Sequence, residues 1–154
     1  LFVAHKNNRE ISPIIQDILN EEEAFRLHDS AIYPPFMKKI ALLKQDLIAI
    51  LEKLKGKKIA AYGAAAKGTT LLNYYNVGSE YLQFVVDRSP VKQGLYTPGK
   101  YLEIKDPKHL ISEDISHALL LSWNFADEIM AQQKEFMDRG GKFIIPLPNV
   151  EVKA

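Results

Sequence analysis

Apolar residues recur every three or four positions through the N-terminal part of the chain: Ile14, Ile15, Ile18, Leu19 and Phe25, then Phe36, Ile40, Leu43, Leu47, Ile50, Leu51 and Leu54. That period belongs to helices that bury one face. It predicts a helix over residues 13–27 and a second over 35–54, with Tyr33-Pro34-Pro35 breaking the chain between them. Ser12-Pro13 suits the first start, because serine caps exposed amides and proline is tolerated at the first helical position. The second stripe reads as packing against the rest of its own domain. A partner interface or dimer seam is the alternative.

From Lys57 the pattern changes. IAAYG, LQFVVD, ALLLSW and KFIIPLP are short apolar runs, KYLEI at 100–104 is a further short strand, and helical stretches at 67–76, 106–113 and 125–139 lie between them. Gly140-Gly141 ends the last helix. Near-continuous apolar strands alternating with helices predict a parallel sheet covered on both faces. The expected fold is a Rossmann-like three-layer α/β/α sandwich with a mostly parallel sheet of about five strands, preceded by two helices.

Composition narrows the function. With 47% hydrophobic and 25% charged residues in 154, the chain reads as a folded domain, neither disordered nor membrane-spanning. The net charge of +1 gives no reason to expect nucleic acid or anionic lipid as a partner. No cysteine is present, which removes disulfides, thiolate zinc sites and a cysteine nucleophile from this chain. A cytoplasmic location is expected. The chain opens on Leu1 with LFVAH, which alternates like a strand, so residues 1–11 are expected to be a strand and linker left from an upstream domain. Residues 12–154 then form the main domain.

The segment AYGAAAKGTT, residues 61–70, approaches two phosphate-binding patterns and meets neither. A P-loop places its lysine after the second glycine, whereas Lys67 precedes Gly68. A dinucleotide fingerprint has a central glycine where Ala65 stands. In open α/β sheets, ligands bind beyond the carboxyl ends of the strands, where strand order reverses. Residues 63–69, 87–94 and 123–124 should converge there. Helix-start amides favour an anion such as a pyrophosphate, and Lys67, poorly placed for the helix dipole, suits the same anion. Each residue also has a plainer role. Gly63 and Gly68 either serve a ligand or merely permit a tight turn and close packing. Asp87 either holds a ribose hydroxyl or ties down its own loop, Trp123 either stacks on a ligand or fills the core, and Asn124 suits a helix cap in either case. His5, His28, His109 and His117 lack metal-ligand spacing, and Ser89 and Ser122 lack a nucleophile-elbow context. Taken alone, these residues lead to an α/β domain that binds something phosphorylated.

Four stretches carry a further signal: YGAAAKGTTLLNYY, VVDRSPVKQGLYTPG, LLLSWNFADEI and GGKFIIPLP. In this order and spacing they resemble the C-terminal domain of the S-adenosylmethionine-dependent nucleotide-sugar C-methyltransferases, over residues 12–148. The resemblance implies a full-length enzyme that methylates a carbon of a TDP-linked keto-deoxysugar. It implies a structural zinc domain and a domain that binds S-adenosylmethionine and holds the catalytic residues, both upstream. This chain would then hold no catalytic residue, cofactor or metal, and would be inactive alone while orienting the nucleotide-sugar. Where the family's loop commonly carries proline or threonine this chain has Ala65, and where asparagine is common it has Thr69. Strand-end geometry assigns the diphosphate to Gly63, Ala64, Ala65, Lys67, Gly68 and Thr69, and the rest of the ligand to Lys92, Trp123 and Asn124. The rival readings are an NAD- or CoA-binding Rossmann module, and a scaffold or dimerisation domain in which Leu43 and Leu47 govern assembly.

Overall fold

The computed structural model describes residues 3–5 and 8–154. Five strands run parallel: β1 (Ile59–Tyr62), β2 (Val85–Val86), β3 (Ile104–Lys105), β4 (His117–Leu120) and β5 (Lys142–Ile145). A sixth, β6 (Glu151–Lys153), pairs antiparallel with β5. The spatial order is β3-β2-β1-β4-β5-β6. The chain thus builds outward from β1 to β3, then returns to lay β4 on the other side of β1. Strand order reverses at that β1–β4 pair, where Ala61 faces Leu119 and Tyr62 faces Leu120.

All four residues of β1 are buried, as a central strand covered on both faces requires. Because side chains alternate along a strand, Ala60, Tyr62, Phe84, Val86, Ala118, Leu120, Phe143 and Ile145 share one face. They form one core with Leu110, Ile115, Ile129 and Phe136, which come from α4 (His109–Ser112), α5 (Ala126–Gln132), α6 (Lys134–Asp138) and the turn after α4. The alternate positions Ile59, Ala61, Val85, Leu119 and Ile144 are equally buried. On that side lie the buried residues Leu71, Leu72 and Tyr75 of α3 (Ala66–Tyr75) and Leu43, Leu47 and Leu51 of α2 (Tyr33–Lys53). The fold is the expected three-layer sandwich.

The chain divides into two compact units, Leu1–Ile40 and Ala41–Ala154. The second holds the sheet, and the three buried leucines of α2 belong to it. Leu47 and Leu51 are fully buried, so packing within the domain accounts for this half of the stripe without a dimer seam. The first unit holds α1 (Ile14–Ala24), a 3-10 turn at Ser30–Ile32 and the first turns of α2. Among the described residues no helix is long and apolar enough to cross a membrane.

Several boundaries differ from expectation. The Ser12 side chain makes no cap; instead its carbonyl accepts from the Ile15 amide at 3.0 Å. Pro34 and Pro35 do not break the chain but lie in the first turn of α2, where a missing N–H costs no helical bond. The helix expected at 125–139 is two, because Gln133 leaves helical backbone at φ −101° and ψ 29°. KYLEI yields a strand only at its end. Residues 94–104 fold back as a hairpin, with Gly94 N–H donating to the Ile104 carbonyl at 2.8 Å and the Leu102 amide to Thr97 Oγ1 at 3.0 Å. The helix expected at 106–113 shrinks to the four residues of α4, behind an Asp106 carboxylate that accepts from the Lys108 amide at 2.9 Å. Strand β6 was not expected, since all three of its residues are exposed and Val152 is its single apolar one. Of the strand expected at residues 1–5, the first two lie outside the described residues, and residues 3–5 carry no strand.

Candidate functional site

The turn after β1 is set by two glycines that let backbone and helix come close. Gly63 adopts φ +97°, a conformation that L side chains rarely adopt. A Cβ there would overlap Ser122 Oγ and sit 3.1 Å from Ser122 Cβ, so the ends of β1 and β4 approach as only glycine allows. Gly68, inside the first turn of α3, leaves no room either: a Cβ would lie 2.7 Å from Leu121 Cβ. Helix α3 therefore starts directly against the end of β4, at the reversal point.

Ala65 occupies the N-cap position of α3 with extended backbone and offers no side-chain cap. The first helical bond runs from the Thr69 amide to the Ala65 carbonyl at 3.0 Å. The amides ahead of it have no intrahelical acceptor, as at any helix start, and they carry the positive end of the helix dipole. Thr69 is half-buried, and its carbonyl accepts from Asn73 Nδ2 at 2.8 Å.

Asp87 and Lys92 are drawn into the same loop. The Asp87 carboxylate accepts from the Ala64 amide and the Ser89 amide, each at 2.8 Å, and pairs with the Lys92 ammonium at 3.2 Å. Lys92 also donates to the Ala64 carbonyl at 3.0 Å, and Gln93 Nε2 donates to the Asp87 carbonyl at 3.0 Å. Burial pushes the Asp87 pKa up, but the two amides and Lys92 outweigh it and hold the carboxyl below its ordinary range. Asp87 ties down its own loop, and the charge of Lys92 is matched inside the protein.

Lys67 behaves differently. Its ammonium lies 4.5 Å from the centroid of the Trp123 ring and 5.9 Å from that of Phe125, a cation–π arrangement across the reversal point. Trp123 itself is half-buried and packs against the core. Asn124 is exposed in the 3-10 turn Trp123–Phe125 and caps nothing, since Phe125 takes the cap position of α5 without a side-chain bond.

Beside these groups lies a cavity of about 240 Å³. Tyr62 and Gly63 line it from β1, Asp87 and Arg88 from the end of β2, Ser122 and Phe125 from the end of β4, and Glu128 and Ile129 from α5. Of the residues singled out by sequence, it takes in Gly63 and Asp87, while Lys67, Lys92, Trp123 and Asn124 stand outside its lining. Sequence reasoning included Arg88 in the converging segment 87–94 and set Glu128 at the start of the next helix without giving either a role, and it passed over Phe125. The position of Arg88, directly after a strand-ending aspartate, was the available signal. Arg88 donates to Gln132 Oε1 at 2.7 Å. Burial raises the Tyr62 pKa, against the lowering influence of Arg88, so its hydroxyl stays protonated near neutrality and can donate. Among the described residues no group of three or more histidine, aspartate or glutamate side chains could hold a metal.

Comparison with known proteins adds the following. A family model described as the C-methyltransferase C-terminal domain matches residues 1–148. A C-methyltransferase of Streptomyces niveus, NovU, is 31% identical over 147 residues, which are 94% of this chain and 35% of that protein. The chain thus spans about a third of the length of the curated relative it matches. Among solved structures, UDP-D-quinovosamine 4-dehydrogenase from Vibrio fischeri aligns with a TM-score of 0.44 at 24% identity, over 60% of this chain and 79% of that one.

Proposed function

The chain belongs to the family of C-methyltransferase C-terminal domains, and from that premise we propose that it grips a nucleotide-linked keto-deoxysugar and orients it for methylation. The observation that carries this reading is the uncapped start of α3 at the reversal of strand order, where the amides of the first helical turn have no intrahelical acceptor. Such a place favours a diphosphate. The amides of Ala65, Lys67 and Gly68 form its cradle, Gly63, Ala64 and Thr69 hold the turn in place through their bonds to Val86, Asp87 and the Ala65 carbonyl, and the Lys67 ammonium swings from the Trp123 ring to neutralise it. The adjoining cavity accepts another part of the ligand, with Tyr62 and Arg88 as donors and Phe125 as an apolar wall. Lys92 supports the cradle through Asp87 and the Ala64 carbonyl. Trp123 and Asn124 edge the site.

The residues present do not fit S-adenosylmethionine. A strand-end acid able to hold its ribose is needed, and Asp87 is committed to two backbone amides and Lys92. The same commitment, with Ala65 in place of the central glycine, argues against NAD. We therefore assign methyl-donor binding, catalysis and any structural zinc to other parts of a protein as long as the relative. This chain contributes orientation, which lowers a barrier by holding the reacting carbon in place.

A melting scan against TDP, UDP, TDP-glucose, ATP, NADH and CoA tests the proposal. Ligand at a hundred times its dissociation constant adds about 2.7 kcal/mol, a rise of several degrees for a domain of this size. A rise with the nucleoside diphosphates and TDP-glucose, lost in Lys67→Ala, is expected. A rise with NADH or CoA alone overturns the reading. A flat response to every compound, repeated with the full translated polypeptide, favours the scaffold.

A further inference from the structure

The amino ends of the parallel strands, opposite the candidate site, carry a cluster of cations that the nucleotide-sugar reading leaves unused. In the β4–β5 register His117 stands beside Lys142. Each lies two residues ahead of a buried residue, Leu119 and Ile144, so alternation puts both side chains on one face of the sheet. Lys57 comes in just ahead of β1, the strand on the other side of β4. The two lysines are exposed and His117 is half-buried. Burial pushes the His117 pKa down, and the charges of Lys142 and Lys57 push it the same way. No acid balances them. Among the described residues neither lysine pairs with a carboxylate. Glu113, whose carbonyl accepts from Lys58 Nζ at 3.0 Å, gives its carboxylate to Lys105 at 2.8 Å. Like charges side by side across strands are destabilising, and a local conflict left without compensation is characteristic of functional sites.

A short relay of hydrogen bonds fixes the imidazole. Ser116 Oγ donates to the Lys58 carbonyl at 2.9 Å, so its oxygen accepts from His117 Nδ1–H at 3.0 Å. In the neutral ring Nε2 then carries the lone pair, and protonation turns it into a second donor. We propose that Lys57, His117 and Lys142 form an anion site that takes a phosphate group, free or carried on a small molecule, and that binding brings a proton from solvent onto His117 Nε2. Three cationic donors suit a dianion with three acceptor oxygens, which a phosphate offers and a carboxylate does not. The anion supplies the opposite charge that the cluster lacks, and it favours the imidazolium that the two lysines otherwise oppose. By linkage, the protonated ring binds it more tightly than the neutral one. This site lies at the opposite ends of the strands from the start of α3, so it is independent of which ligand the diphosphate cradle takes.

Magnetic resonance of the His117 ring in the 154-residue chain tests it, with pH titrations in chloride and in inorganic phosphate at one ionic strength. The His117 midpoint should rise in phosphate by about one pH unit, which is a tenfold preference of the anion for the protonated ring. Lys142→Ala and Lys57→Ala should each remove most of that rise while the amides of the sheet stay in place. Lys67→Ala should leave it intact, which keeps this result apart from binding at the cradle. A midpoint that moves at lower concentrations of glucose 1-phosphate than of inorganic phosphate identifies a phosphorylated small molecule as the ligand, and the reverse order identifies the free ion. Equal midpoints in chloride and phosphate would overturn the proposal. So would a rise that persists when Lys57→Ala and Lys142→Ala are combined, since it would then be a general salt effect.

Discussion

Replacing Gly63 by alanine tests whether the turn after β1 is held open by geometry or merely tolerates glycine. Two separable penalties apply. The first is backbone strain: at φ +97° a residue with a Cβ is disfavoured and costs on the order of 1–3 kcal/mol. The second is steric. The new methyl group overlaps Ser122 Oγ, and turning that hydroxyl away still leaves Ser122 Cβ at 3.1 Å and Ser122 N at 3.4 Å. Overpacking of this kind costs about 1–3 kcal/mol. The sum is roughly 2–6 kcal/mol, a large part of the stability of a domain this size. Urea denaturation monitored at Trp123, the only tryptophan, measures it as a lowered midpoint at unchanged slope. Adding Ser122→Gly should restore the steric share and leave the strain, so the double variant recovers part of the loss. A Gly63→Ala midpoint within about 0.5 kcal/mol of the parent, the range of ordinary surface changes, would refute the reasoning. Complete recovery in the double variant would refute the strain component.

Two other substitutions probe the loop and the helix beneath it. Asp87→Asn removes a carboxylate that serves two amides and Lys92, and should cost about 1–3 kcal/mol near neutral pH. The folded pKa of Asp87 is depressed, so its contribution is present above the unfolded value and lost as pH falls through the folded one. The denaturation midpoints of parent and variant should therefore converge in acid, and a constant gap across pH would contradict the assignment. Leu47→Ala empties a fully buried position and should cost about 2–5 kcal/mol with no change in sedimentation mass. A change of mass without loss of stability would restore the dimer-seam reading of this stripe.

Much of the sheet was legible because burial on both faces forces nearly continuous apolar strands, as in IAAY, where every position is buried. Strand β6 escaped because its exposed residues, Glu151-Val152-Lys153, earn their place through backbone pairing with β5, which leaves no hydrophobic trace. The hairpin at 94–104 escaped for a related reason. Its cross-bonds run from backbone and from Thr97, while KYLEI reads locally as an ordinary strand. At the site, the two glycines and the acid were visible as strand-end residues, but their partners were not. That Gly63 meets Ser122 and Gly68 meets Leu121 depends on β4 returning beside β1, a long-range pairing with no local signature. The same holds for Lys67, which lies against Trp123 from far along the chain.

The most direct test of the central claim is amide chemical-shift mapping of the labelled chain during titration with TDP and TDP-glucose. Binding as proposed should move the amides of Ala65, Ala66, Lys67 and Gly68 at the start of α3, together with the Trp123 indole N–H as Lys67 leaves its ring. Lys67→Ala should weaken those shifts without rearranging the sheet. Saturable shifts confined to other surfaces, with the start of α3 unmoved, would contradict the account.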